Sequence, residues 1–354
     1  MASAAPPVES APAALPPPAP PLVIVAGGDV NFGRECGQAI LVDPGYDPFR
    51  FIAPIWRDAD LRFVNLESQL SEQGGETQSP RNRLVFTGPP GGGKTLSQAG
   101  VHVASTANNH AWDYGKKAML ETLDNLSGAG VKSVGTGRTL DAAYAPAVFE
   151  LRGHSIAVFA VTQIWNAGDI ETHEGRHYVA WARVNRMRAA LKQAHEKYDL
   201  VLLSYHGGVE YIDVPSPQTR RFVDTLAKSG FVDAVIGHHP HVPQGIGFTN
   251  GVPIFYSLGN FVFAGHDWAP WTKLGFLARL EVRAGHAVHV SACPYALDGH
   301  LPKPLAANDP ASARARAHLI ETSNAVGAVD VGVADARGCF PVTPRASAAG
   351  VKVP

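Results

Sequence analysis

The strongest constraint on this chain is a repeated pattern: a short apolar run that stops on a residue able to bind a metal or move a proton. Leu22-Val23-Ile24-Val25-Ala26 runs into Gly27-Gly28-Asp29, and Leu61-Arg62-Phe63-Val64 into Asn65-Leu66-Glu67. Val101-His102-Val103-Ala104-Ser105 leads to Asn108-Asn109-His110, and Leu200 to Ser204 leads to Tyr205-His206-Gly207. Val232 to Ile236 ends in Gly237-His238-His239-Pro240-His241, and Ile254 to Ser257 ends in Leu258-Gly259-Asn260. Such runs, bounded by turn-forming residues, predict buried strands. Between them apolar residues recur at helical spacing: Met119, Leu120, Leu123 and Leu126; Val184, Met187, Leu191 and Ala194; Phe222, Val223 and Leu226. Strands alternating with helices predict an α/β layered fold. In open sheets of this class ligands bind beyond the carboxyl ends of the strands, which is where the polar residues fall.

The 354 residues suit one large domain with tails, or two medium ones. Residues 1–21 hold eight of the 28 prolines and a single charge, Glu9, so they predict a disordered Pro/Ala-rich linker. The main domain is expected over 22–300. Late strands are expected at Leu274–Val282 and from Ala287 to Ala292. The extension over 301–354 is expected to be partly helical, over 312–321, and otherwise disordered tail. The three cysteines, Cys36, Cys293 and Cys339, form no CxxC pair and predict no disulfide framework. With 30 Lys+Arg against 31 Asp+Glu, a general polyanion-binding surface is not indicated, and nucleic acid is not an expected partner. No apolar run approaches the roughly 20 residues that span a bilayer. The chain shows no signal peptide, yet linkers of this kind often follow a removed export signal or lipid anchor, so a cell-envelope location is expected.

The strand ends carry Asp29, Glu67, Asn109, His110, His206, His239 and His241. Asp29 follows a glycine pair that permits a tight turn with the carboxylate at the rim. Glu67 could offer one oxygen to each of two cations. The Asn109 amide could ligate without adding charge. His110 could protonate a leaving group, oriented by Asp113 three residues on. Glu210 could support His206. His239 and His241, two apart on extended chain, would point the same way. Each residue alone has a bland reading as a cap, a solvated carboxylate or a core histidine; five successive strands ending this way do not. The set suits two divalent cations about 3.5–4 Å apart, and its mixed nitrogen and oxygen donors favour Zn, Mn or Fe.

A literal phosphate-loop pattern also occurs, Gly88-Pro89-Pro90-Gly91-Gly92-Gly93-Lys94-Thr95. It works only where a buried strand feeds a loop that wraps phosphate onto a helix N-terminus. Here the upstream run is only Leu84-Val85-Phe86 and the following helix has room only to about Ala99. The pattern is read as a decoy.

The ordered motifs GDVNFGR (28–34), NLE (65–67), ANNHAWDYG (107–115), GxGR (135–138), HGGVEY (206–211), GHHPHVPQG (237–245) and YSLGNFVF (256–263) resemble the CapA family of poly-γ-glutamate capsule biosynthesis proteins, itself similar to calcineurin-like metallophosphoesterases. The resemblance covers roughly residues 22 to 300. It implies a four-layer α/β/β/α sandwich with metals at the loop rim. Asp29, Glu67 and His241 would hold one metal, and Glu67, Asn109, His206 and His239 the other. His110 would be the general acid. The superfamily's opening D-x-H becomes Asp29-Val30-Asn31, so one histidine ligand is missing. The leading expectation is a metal-dependent hydrolase of a phosphoester or γ-glutamyl polymer, with Arg34, Arg138 and either Arg81 or Arg83 orienting an anionic substrate. Other capsule-synthesis proteins are expected partners. The alternative is a non-catalytic polymer-assembly or binding subunit on the same scaffold.

Overall fold

The computed structural model describes residues 20–265, 268–282 and 288–345. The linker read over residues 1–21 lies outside them, apart from Pro20 and Pro21. All six expected strands form, as Leu22–Val30, Leu61–Leu66, Val103–Ser105, Leu200–His206, Ala234–His238 and Val252–Phe255. The three helical spacings become Gly115–Gly128, Val184–His195 and Pro217–Ala227. The last shows the local logic: Ser216 Oγ accepts from the Thr219 amide at 3.1 Å, Pro217 opens the first turn, and Phe222, Val223 and Leu226 face inward.

Among the described residues all strands but the short pair Gln69–Leu70 and Thr87–Gly88 gather into two sheets. In a ten-stranded sheet, Leu22–Val30 pairs in parallel with Leu61–Leu66, followed by Val103–Ser105 and Lys132–Val134, also parallel. On its other side Leu274–Val282 and Val288–Asp298 add antiparallel strands. In a six-stranded sheet, Leu200–His206 lies in parallel between His154–Thr162 and Ala234–His238, with Val252–Phe255 next.

Strand alternation sorts the apolar residues into three layers. Leu22, Ile24 and Ala26 meet Ile156, Val158, Leu200, Leu202 and Ile236 of the other sheet. Val23 and Val25 face outward onto Cys36, Ile40, Trp56, Leu96 and Leu126 of the covering helices. Val201 and Leu203 face Met187, Leu191, Phe222 and Leu226 on the opposite outside. Three apolar layers between four structural ones make an α/β/β/α sandwich.

Register then aligns the strand ends. Asp29 sits opposite Asn65, and Asn65 opposite Ser105; His206 sits opposite both Thr162 and His238. The strand end at Asp29 comes close to the 259 turn, because a Cβ on Gly28 would lie 1.9 Å from the Gly259 carbonyl oxygen.

The residues read as tail are largely built into the sheet. Leu301–Pro304 and Phe340–Pro344 both pair with Val288–Asp298, and Val329–Val331 pairs with Phe340–Pro344. The expected helix is present as Pro310–Asn324. Contrary to the cysteine reading, Cys293 and Cys339 form a disulfide that ties this extension to the core. Their separation of 46 residues gives no spacing signal, since only strand pairing brings them together. Among the described residues no helix is long and apolar enough to cross a membrane.

Candidate metal centre

Both carboxylates of the expected cluster are fully buried. Asp29 Oδ1 accepts from Asn65 Nδ2 at 2.8 Å, and Oδ2 accepts from the His239 amide at 3.2 Å. Around Asp29 stand His238 Nδ1 at 3.3 Å from Oδ1 and His241 Nδ1 at 3.5 Å from Oδ2. Glu67 behaves differently. Its Oε1 accepts no hydrogen bond, yet His241 Nε2, His206 Nε2 and His110 Nε2 stand 3.6, 3.8 and 3.9 Å away. Burial and the neighbouring Asp29 carboxylate push the Glu67 pKa well up. Burial also pushes His206 well down and His239 to about 4, so both imidazoles are neutral donors near pH 7.

An orphaned buried carboxylate oxygen facing imidazole nitrogens is a costly arrangement for a protein alone. It fits a divalent cation, which takes oxygen and neutral nitrogen together. Two ligand groups, Glu67 with His239 and His241, and Asp29 with Glu67 and His206, have donor atoms mutually within 4.8 Å. Glu67 belongs to both.

The supporting hydrogen bonds fix how these groups present themselves. Asn260 Nδ2 donates to the Thr272 carbonyl at 3.1 Å, leaving its Oδ1 to face His241 Nδ1 at 2.9 Å. His241 therefore keeps its proton on Nδ1 and a lone pair on Nε2, toward Glu67. Asn109 Oδ1 lies 2.8 Å from His206 Nε2. Asn108 does a separate job, donating to the Leu66 carbonyl and accepting from the His110 amide, which holds the loop in place. His110 Nδ1 lies 2.8 Å from Asp113 Oδ2, which also accepts from the Phe86 amide at 2.9 Å. The Phe86 ring stacks on His110 with centroids 4.1 Å apart. His110 is thus locked on one side and free at Nε2 on the side facing Glu67.

The histidine pair does not converge by extended geometry. His239 and His241 have φ of 98° and 58°, so left-handed bends, not strand alternation, turn both rings inward. Arg34 (φ 54°) and Tyr211 (φ 64°) share this conformation, and these four are among seven such non-glycine residues among the described ones. Each costs about 1–3 kcal/mol, held by the surrounding packing.

One cavity reaches the cluster and a second lies beside it, with Leu84 lining both. One of about 440 Å³ is lined by Asn109, His110, Trp112, Asp113 and Glu210. The other, of about 840 Å³, is lined by Arg34, Arg83, Glu35, Glu76, Tyr211 and Trp268. Glu210 is an exposed rim residue facing the first cavity. Arg81 and Arg138 line neither cavity. Arg138 is exposed and pairs with Asp124, so the structure does not bring it to the cluster. The phosphate-loop pattern is ordinary helix start: Gly92, Gly93 and Thr95 amides donate to Pro89, Pro90 and Gly91 carbonyls, so they make no anion nest, and Lys94 is exposed.

Sequence reasoning missed three residues. Asn65 Nδ2 lies within 2.8 to 3.5 Å of Asp29, Glu67 and His206, linking both sheets. Asn260 orients His241, and His238 stands beside Asp29 with both ring nitrogens lacking a hydrogen-bond partner. Each lies within a strand-end motif, and that position was the available signal.

A family model described as "Bacterial capsule synthesis protein PGA_cap" matches residues 23–265. The chain is 31% identical over 238 residues to "PGA biosynthesis protein CapA" of Bacillus subtilis, a match covering 67% of this chain and 62% of that one. It is 28% identical over 289 residues to "Capsule biosynthesis protein CapA" of Bacillus anthracis, covering 80% and 69%. The chain thus spans under two thirds of the first relative's length. Among solved structures it is similar to the calcineurin-like phosphoesterase YfkN from Bacillus subtilis, with 14% identity, a TM-score of 0.46, and coverage of 86% and 97%.

Proposed function

We propose that this chain, which belongs to the bacterial capsule synthesis protein PGA_cap family, is a metal-dependent hydrolase of the cell envelope that acts on a phosphoester or γ-glutamyl polymer. Two divalent cations would be its cofactors. Asp29, Glu67 and His241 would hold one; Glu67, Asn109, His206 and His239 would hold the other. The observation that carries this reading is the buried, unpartnered Glu67 Oε1 with three imidazole nitrogens 3.6 to 3.9 Å from it.

Bound cations supply Lewis-acid polarisation of the scissile group and acidify water. The chain's own residues do the rest. His110, with Nδ1 held by Asp113 and Nε2 facing the cluster, donates a proton to the leaving group. Phe86 walls one face of that ring and limits its hydration. Arg34 and Arg83, in the adjoining cavity, bind anionic parts of the substrate. The buried disulfide supports an oxidising, extracytoplasmic compartment, and the capsule-related relatives support an anionic polymer and other capsule-synthesis proteins as partners.

The test is metal analysis of purified protein, then assays with Mn²⁺ or Zn²⁺ on aryl phosphoesters and γ-glutamyl polymer. Turnover of either class is expected. It should fall at least about 100-fold in a folded His206→Ala, His239→Ala double variant. Activity unchanged in that variant would remove the reading.

A further inference from the structure

The larger cavity carries more information than its two arginines suggest. Arg34 is held in place before any ligand arrives. Its Nη1 donates to the Ala264 carbonyl at 2.7 Å and its Nη2 to the Arg83 carbonyl at 3.4 Å. Its guanidinium carbon lies 5.0 Å from the centre of the Phe86 ring, the same ring that stacks on His110. Its backbone sits at φ 54°. Its Nε is buried with no hydrogen-bond partner. This is a fixed cation, half-buried, with donor capacity unspent.

The cavity is nonetheless not cationic. Glu35 and Glu76 line it beside Arg34 and Arg83, giving two positive and two negative side chains in about 840 Å³. A site built for phosphate alone would gain nothing from two carboxylates and would lose affinity by like-charge repulsion. A ligand carrying both signs is complementary to all four groups. Gln38 and Gln78 add amide partners, and Trp268, packed 4.3 Å from Tyr211, adds an aromatic wall.

We infer that this cavity is a subsite for a zwitterionic α-amino-acid group, with its carboxylate on Arg34 and Arg83 and its ammonium on Glu35 and Glu76. It rests on the proposed hydrolase reading for its role: Leu84 lines both this cavity and the His110 cavity, the Phe86 ring lies under both Arg34 and His110, and the Tyr211 ring of this cavity has its centroid 6.0 Å from that of His241. The substrate class then narrows to molecules ending in a free amino-acid head, such as a γ-glutamyl terminus, over simple phosphomonoesters.

The test is calorimetric titration of the full chain with three probes: glutamate, glutarate, which lacks the ammonium, and N-acetylglutamate, which neutralises it. Titrations run with chelator present and again with Mn²⁺, so a failure of metal binding leaves the chelator arm readable. Glutamate is expected to bind at least about tenfold tighter than either analogue, about 1.4 kcal/mol. The wild-type series tests the inference even if a variant fails to fold. Glu35→Gln with Glu76→Gln should erase the preference, and Arg34→Gln should weaken all three probes at least about tenfold. Equal binding of glutarate, a preference that survives loss of both glutamates, or no binding at millimolar probe would each overturn it.

Discussion

Glu67→Gln separates the energetic cost of the cluster from its use. The substitution keeps shape and removes one buried charge. In the metal-free protein, burial and Asp29 hold the Glu67 carboxyl well above its ordinary pKa. The unfolded chain therefore releases this proton first. Above about pH 4.5 the unfolded state binds fewer protons at this position than the native state, so stability falls as pH rises until the folded pKa is passed. The slope attributable to one such group is at most about 1.4 kcal/mol per pH unit. His206 and His239 tilt the curve the other way below about pH 6.5, since their folded pKa values are lowered. Only the difference between wild type and Glu67→Gln isolates Glu67. Urea denaturation between pH 5 and 8 with chelator is expected to show Glu67→Gln gaining on wild type as pH rises. With Mn²⁺ or Zn²⁺ the order reverses. Wild type should gain about 4 kcal/mol at a thousandfold excess over Kd, and Glu67→Gln far less. Parallel pH curves together with equal metal stabilisation in both proteins would refute the reasoning.

Asp113→Asn should lower turnover about 10- to 100-fold at unchanged metal content, because the partner that orients His110 loses its charge. Aryl substrates with better leaving groups should recover most of that loss, which a general structural defect would not allow. Replacing Cys293 and Cys339 together by Ala should cost about 4 kcal/mol in urea denaturation for a 46-residue separation, with catalytic activity retained in the folded fraction. Arg138→Ala should change stability by less than about 1 kcal/mol, as expected of an exposed pair with Asp124, and leave KM unaltered; Arg34→Gln should raise KM.

The layered fold and the strand-end cluster were legible because both rest on short-range patterns. Leu22–Val30 and Leu200–His206 are apolar runs that name their own strands and end on their own functional groups. The disulfide was not legible, because Cys293 and Cys339 meet only through strand pairing across 46 residues. Strands Val329–Val331 and Phe340–Pro344 are three and five residues long, too short for periodicity to separate from tail. The bends at His239 and His241 were hidden too: residue spacing says that two rings can converge, but not which backbone conformation achieves it. Arg138 shows the limit from the other side, since a cation near a motif says nothing of a nearby Asp124 that engages it.

The cluster straddles a seam. Asp29 and Asn65 lie on strands of the larger sheet, with Glu67 next to one of them, while His206 belongs to the smaller sheet and His239 and His241 follow its next strand. Each candidate ligand group, Glu67 with His239 and His241 and Asp29 with Glu67 and His206, draws on both sheets. A methyl group gained or lost at Ile24 or Leu202, buried between the two sheets, changes how closely those sheets approach, and with it the spacing of the side chains that the strand ends bring together.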